Sequence, residues 1–189
     1  MSIFFTSDTH FGAQRTLELS RRPFQNTAEM DKTIIKNWNK KVGKDDVVYH
    51  LGDFGDKTNI AKLNGNVILI LGNYEEKEIE NDFSGDFETF KQYLKSLGFY
   101  DVIEKNIIIE LNDEKIFLTH KPLDCKKDMF NLFGHIHGAQ KQKKFGLDVG
   151  TDGNFFTPYS VEDILFWKNA IEIHKKGKSV FCDIEDLQF

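Results

Sequence analysis

Five short apolar runs in this chain each stop abruptly at residues able to ligate a metal ion. SIFFTSD ends in Asp8 with His10 just beyond, DVVYHLGD in Asp53, and NVILILGN in Asn73; EKIFLTH ends in His120, and MFNLFGHIH in His135 and His137. The runs are rich in Ile, Val, Leu and Phe, at the length of buried strands. Helical patterns alternate with them. One starts near Asn26, with Glu29 placed for a capping box and Met30, Ile34 and Trp38 along one side, and stops near Gly43. Another starts at Ser160, with Asp163 three residues on and Val161, Ile164, Leu165 and Ile171 on its apolar side. Such alternation predicts an α/β layered fold, which gathers ligands at the carboxyl ends of its strands. No repeat or Gly/Ser/Pro linker divides the 189 residues. The expectation is one domain over 1–189, burying roughly 70% of its unfolded surface.

The polar residues at the strand ends have a chemical reading. Four of the six histidines are in this set, His50 lies three residues before Asp53, and His174 stands apart. A polar cap at one strand end is ordinary; seven such residues at one edge point to a metal centre. Aspartate, asparagine and neutral histidine form a mixed oxygen and nitrogen set that suits Mn, Fe or Zn rather than calcium. Seven ligands exceed one tetrahedral zinc but suit two adjacent metals sharing a carboxylate. In LFGHIHG, residues 132–138, an extended backbone would put His135 and His137 on one face, and Gly134 would admit another group close to the chain.

Composition narrows the partners. With a net charge of −5, the chain is a poor match for long nucleic acid, whose binding depends on neutralising phosphates. No apolar stretch approaches the roughly 20 residues of a membrane span. No basic segment precedes the first apolar run, and Cys125 and Cys182 lack a metal or redox spacing, so the expectation is a cytoplasmic protein with reduced thiols. A small anionic substrate needs positive charge concentrated locally. Arg15, Arg21 and Arg22 all fall just after Asp8–His10, and guanidinium binds phosphate oxygens bidentately, so at least one is expected as a substrate clamp. Lys121, Lys126 and Lys127 follow His120, and Lys141, Lys143 and Lys144 follow His137; they add local positive field or are plain solvated surface. The acidic segment 73–88 reads as a solvated helix and turn in preference to a lid repelling polyanions.

The motifs DTH at 8–10, GD at 52–53, GNYE at 72–75, TH at 119–120 and GHIH at 134–137 occur in that order. In this the chain resembles the calcineurin-like metallophosphoesterase superfamily. SDTHFG, RRPF, NWNKKV and VVYHLGDF further resemble a group of small bacterial and phage phosphoesterases. The resemblance implies an α/β fold of two mixed β-sheets packed as a sandwich and flanked by helices, in four layers. It implies two divalent metal ions per chain, Mn first, with Fe, Zn or Ni as alternatives. Asp8, His10, Asp53 and His137 would hold one ion; Asp53, Asn73, His120 and His135 would hold the other. The implied reaction is attack of a metal-bound hydroxide on phosphorus, with no covalent enzyme intermediate. The substrate expected is a small phosphodiester such as a nucleotide or cyclic nucleotide; a phosphomonoesterase, a nuclease or a metal-binding scaffold are the alternatives.

One position departs from the family pattern. The GNH histidine, which would protonate the leaving oxygen, is Tyr74 here. Tyrosine, with an ordinary pKa of about 10, is a weaker acid than imidazolium. His50 is the second candidate for that role if its strand ends at the same edge, and a supporting role behind a ligand is equally open to it. Glu75 matches the motif's acidic position without a direct catalytic role.

Overall fold

A computed structural model describes residues 1–143 and 145–176, with side chains through 173. Lys144, Cys182 and the side chain of His174 lie outside the described residues. In chain order the elements are β1 (Ile3–Thr6), α1 (Gln14–Leu19), α2 (Thr27–Lys41), β2 (Val47–His50), β3 (Asn66–Ile70), α3 (Asn73–Asp82) and α4 (Phe87–Leu97). They continue through β4 (Asp101–Ile103), β5 (Asn106–Leu111), β6 (Glu114–Thr119), β7 (Phe130–Phe133), β8 (Gln142–Lys143), β9 (Gly146–Asp148), β10 (Tyr159–Ser160) and α5 (Val161–Lys176).

Two mixed five-stranded sheets result, in the orders β10-β1-β2-β3-β4 and β5-β6-β7-β9-β8. In the first, β1 to β4 are parallel and β10 is antiparallel; in the second, β6, β7 and β9 are parallel and the outer strands antiparallel. The α/β sandwich is therefore as the motifs imply. Successive residues of a strand face opposite sides, and the first sheet uses both. Phe4, Val48 and Leu69 enter one core with Met30, Ile34 and Trp38 of α2 and Phe90 and Leu94 of α4. Phe5, Tyr49 and Ile70 enter the other, against Leu118, Leu132 and Leu147 of the second sheet. Helix α5 adds Ile164 and Ile171 to this inter-sheet core, and its Lys168 meets Glu114 of β6, so it bridges the two sheets.

Both helix starts read from the sequence are present. Asn26 accepts from the Glu29 amide, and Ser160 and Asp163 cap each other reciprocally. The acidic segment is α3 and the turn after it; Glu75 and Ile79 are buried there. Register carries the functional ends to one place. Thr6 pairs with His50 and His50 with Leu69, so β1, β2 and β3 end level, while Leu118 pairs with Leu132 in the second sheet. The amide of Gly134 donates to the His120 carbonyl at 3.0 Å, and Ser7 forms a bridge with Gly150, closing the two sheets over one edge.

Candidate metal centre

The five apolar runs end as strands one to four residues before the polar groups, which sit on the tight loops beyond or, for Asn73, at the start of α3. Asp8, His10, Asp53, His135 and His137 all have positive φ, between 48° and 74°. They are five of the eleven non-glycine residues in that conformation among the described residues. Such conformations cost on the order of 1–3 kcal/mol each and persist where surrounding structure demands them. The GHIH stretch is therefore not extended, and the condition for placing His135 and His137 on one face is not met. β7 stops at Phe133, and the left-handed turns at His135 and His137 send their rings to different places.

Two groups of donors form. Atoms of Asp8, His10 and His137 lie within 4.8 Å of one another, and so do those of Asp53, His120 and His135. Asp53 Oδ2 sits between them, 3.6 Å from His10 Nε2 and 3.5 Å from His120 Nε2. Asn73 Oδ1 joins the second group, 2.9 Å from His135 Nδ1 and 3.1 Å from His120 Nε2. All seven residues singled out as ligands thus meet at one edge.

The electrostatics of this cluster call for positive charge. His120 Nδ1 lies 2.7 Å from the Leu51 carbonyl, which can only accept, so Nδ1 carries a proton and Nε2 is the ring atom turned to the centre. Asp8 Oδ1 and His10 Nε2 are buried with no hydrogen-bond partner, although buried polar atoms are normally satisfied. Burial, reinforced by Glu75 and Asp8, raises the Asp53 carboxyl to about 7, and burial with His137 and Arg22 nearby holds His10 down to about 3. Converging oxygen and nitrogen donors, two of them buried without a hydrogen-bond partner, fit divalent cations of the oxygen-and-nitrogen-binding kind.

Close approach of backbones makes the edge possible. A Cβ on Gly134 would collide with Ser7 Oγ and Asp8 Oδ2, and one on Gly72 with the Asp53 carboxylate. Glu75 lies beneath, fully buried, and accepts from the amides of Asp53, Phe54 and Gly72 at 2.8, 3.0 and 3.0 Å. Burial alone would raise this carboxyl, but Lys57 at 3.1 Å and the three amides outweigh it and hold it at about 2. It pins the backbone that presents Asp53.

Burial narrows two sets of candidates. His50 does not reach the mouth: it is fully buried among Trp38 and Phe54, and desolvation lowers its pKa to about 3. The Thr9 hydroxyl donates to the Phe54 carbonyl, so it accepts at 3.0 Å from His50 Nε2, and the ring supports the loop between Asp8 and His10. It cannot protonate a substrate from there. Arg22 is not a substrate clamp either. The residue is 5% exposed, and its guanidinium is spent on the carbonyls of Asp8 and Thr9 and on Asp152.

The remaining cations divide between mouth and scaffold. Arg15 is exposed and donates to the Tyr74 hydroxyl at 3.3 Å; Arg21 is exposed, and its side chain makes no polar contact among the described residues. Tyr74 is 38% exposed, its ring edge-on to His10 at 5.0 Å. Lys121 pairs with Glu76, Lys126 covers Phe117, and Lys141 donates to the Gly153 carbonyl and covers Trp167. Those lysines therefore offer little free positive field. Sequence reasoning missed Asp152 and Ser20, which lie 3.1 and 3.2 Å from His137 Nδ1. No local pattern marks either one, since each acts on a loop distant in the chain.

Among the described residues no helix is long and apolar enough to cross a membrane. Residues 1–158 match the model of the calcineurin-like phosphoesterase superfamily domain. Along 98% of its length the chain is 30% identical to uncharacterized protein MJ1445 of Methanocaldococcus jannaschii, covering 97% of that protein. A shorter match, 36% identical over 81 residues, covers 38% of this chain and 39% of the gene 66 protein of Mycobacterium phage L5. Among solved structures, the protein of unknown function AQ665 from Aquifex aeolicus shares the fold, with a TM-score of 0.68 at 22% identity over 88% of this chain and 98% of that one. The ordered motifs, their meeting at one sandwich edge and the match over most of the sequence agree, and the chain belongs to the calcineurin-like phosphoesterase superfamily.

Proposed function

We propose that the protein is a two-metal phosphoesterase acting on a small phosphodiester, such as a nucleotide or cyclic nucleotide. One observation carries the reading: buried donors without partners, Asp8 Oδ1 and His10 Nε2, face a carboxylate, Asp53, that stands about midway between two histidine groups. Asp8, His10, Asp53 and His137 would hold one ion, and Asp53, Asn73, His120 and His135 the other. Bound there, divalent metals would supply a nucleophile at neutral pH and neutralise phosphoryl oxygens. The donor set suits Mn, with Fe, Zn and Ni as rivals.

The chain's own contribution lies at the rim. Tyr74 carries a hydroxyl whose oxygen accepts from Arg15, leaving its own proton available to a leaving oxygen. Arg15 and Arg21 are the exposed guanidiniums available to an anionic substrate. A net charge of −5 disfavours long polyanions and favours a compact substrate. The test pairs metal analysis with hydrolysis of a bis-nitrophenyl diester and the matching monoester. Two Mn²⁺ per chain and faster diester cleavage, lost on chelation and restored by Mn²⁺, are expected. Faster monoester cleavage would make the protein a phosphomonoesterase, and full metal loading without hydrolysis would make it a scaffold.

A further inference from the structure

His137 is held by the ring nitrogen that faces away from the other ligands. Nδ1 lies 3.1 Å from Asp152 Oδ2 and 3.2 Å from Ser20 Oγ, while Nε2 faces Asp8 Oδ1 at 4.0 Å. A carboxylate only accepts, so Nδ1 carries the proton and Nε2 presents its lone pair to Asp8 and His10. An unconstrained neutral imidazole in water places most of its proton on Nε2, the wrong atom for this site. Something must hold the less favoured tautomer.

Asp152 is equipped to do so because it is itself immobilised. Arg22 donates Nε to Oδ1 and Nη2 to Oδ2, both at 2.8 Å, in the bidentate geometry that fixes a carboxylate in plane. The same buried guanidinium donates to the carbonyls of Asp8 at 2.6 Å and Thr9 at 2.8 Å. One cation thus ties the backbone carrying Asp8 and His10 to the turn after β9, and that turn orients a ring from a third loop. The second group has separate support, since His120 is oriented by the Leu51 carbonyl. Ligating histidines are commonly tuned through such outer partners, whose loss costs about 10–100-fold in metal affinity.

We propose that Asp152, immobilised by Arg22, is a positioning residue that locks His137 in the Nδ1–H tautomer. It thereby sets the divalent-cation affinity of the Asp8–His10–His137 group and leaves that of Asp53–His120–His135 unchanged. The affinity part rests on the two-metal reading above; the tautomer does not.

Two readouts separate them. In chelated, ¹⁵N-histidine-labelled wild type at pH 8.5, NMR should place the His137 proton on Nδ1. In Asp152→Ala the Nε2–H form should become dominant, and calorimetric titration with Mn²⁺ should show one of two equivalents weakened roughly 10–100-fold and the other unchanged. Should Asp152→Ala lose its fold by circular dichroism, Asp152→Asn takes its place. Its amide keeps one acceptor for Arg22 but sets an N–H₂ against either Arg22 or His137, so the same shifts are expected at smaller size. A wild-type proton on Nε2, unchanged affinity at both equivalents, or equal weakening of both would overturn the proposal. Wild type that binds no Mn²⁺ would sink the metal-centre reading and the affinity part with it, while the Nδ1–H signal still decides the tautomer lock.

Discussion

Arg15 donates to the Tyr74 hydroxyl at 3.3 Å, joining the first helix after the D-T-H loop to the residue that stands where the family motif has histidine. The contact uses the phenol oxygen as an acceptor and leaves its proton for another partner. With its ring edge against His10, Tyr74 overlooks the metal-binding groups from the solvent side.

If Tyr74 is the proton donor, its importance depends on the leaving group. A nitrophenolate departs without a proton and a sugar alkoxide does not, and general-acid help is worth about 10²–10⁴-fold. Tyr74→Phe should therefore slow alkyl esters by at least about tenfold and barely change nitrophenyl esters. Tyr74→His should raise the alkyl rate where the imidazole reaches the leaving oxygen. Equal loss on both substrate classes, at matched metal occupancy, would make Tyr74 a binding or packing residue.

Arg15 and Arg22 should respond in opposite ways. Losing a charge-assisted phosphate contact costs about 1.5–3 kcal/mol, roughly tenfold to over a hundredfold in kcat/KM. Arg15→Ala should show this loss with the thermal midpoint unchanged. Arg22→Ala removes a buried cation from Asp152 and two carbonyls, so it should lower the midpoint and, through Asp152, weaken metal binding. Steady-state kinetics and thermal melts on both variants decide the matter; wild-type kinetics for Arg15→Ala would end its role as a clamp.

Asp53 stands in reach of both groups, so its charge should matter to both. Asp53→Asn should reduce bound metal at each site and abolish most activity. Chelation should lower the thermal midpoint of wild type more than that of the variant, because ions bound only by the folded state stabilise it. Metal analysis showing equal content in the two proteins would refute the shared role.

The buried His50 makes acid stability a readout of the fold. Its folded pKa of about 3 lies below the ordinary 6.5. The unfolded chain therefore binds the extra proton first, and stability is lost as pH falls from about 6.5 toward 3. Replacing the ring by Phe removes one such proton, so between about pH 6 and 5 the pH slope of the unfolding free energy should flatten by up to ~1.4 kcal/mol per unit. Urea melts of chelated wild type and His50→Phe would measure this; identical slopes would contradict the burial argument.

Gly134 tests the packing of the two sheets. A methyl there would collide with Ser7 Oγ and Asp8 Oδ2, the oxygen that accepts from the His135 amide at 2.8 Å. Gly134→Ala should cost about 1–3 kcal/mol as overpacking and displace Asp8 from the first group. A variant with wild-type melting and full metal content would mean that the edge is looser than its contacts imply.

Much of the protein was legible in the chain because the relevant forces act within a few residues. Apolar runs of strand length, the Asn26–Glu29 and Ser160–Asp163 caps, and the polar residues after each run are local features, and they led to an α/β layered fold and to the seven residues that meet at one edge, while the two-sheet sandwich was implied by the family resemblance. The burial of His50 and Arg22 was decided by tertiary structure. A histidine three residues before a ligand and an arginine after the D-T-H motif look available in sequence, yet Trp38 and Phe54 cover the first and Asp152, 130 residues away, claims the second. The division of His135 and His137 between two groups depends equally on distance, since the left-handed turn at His135 is held by Asp8, 127 residues earlier. Periodicity and capping report which residues reach the edge. Strand register and the low tolerance of a packed interior for unpaired polar groups decide which of them touch.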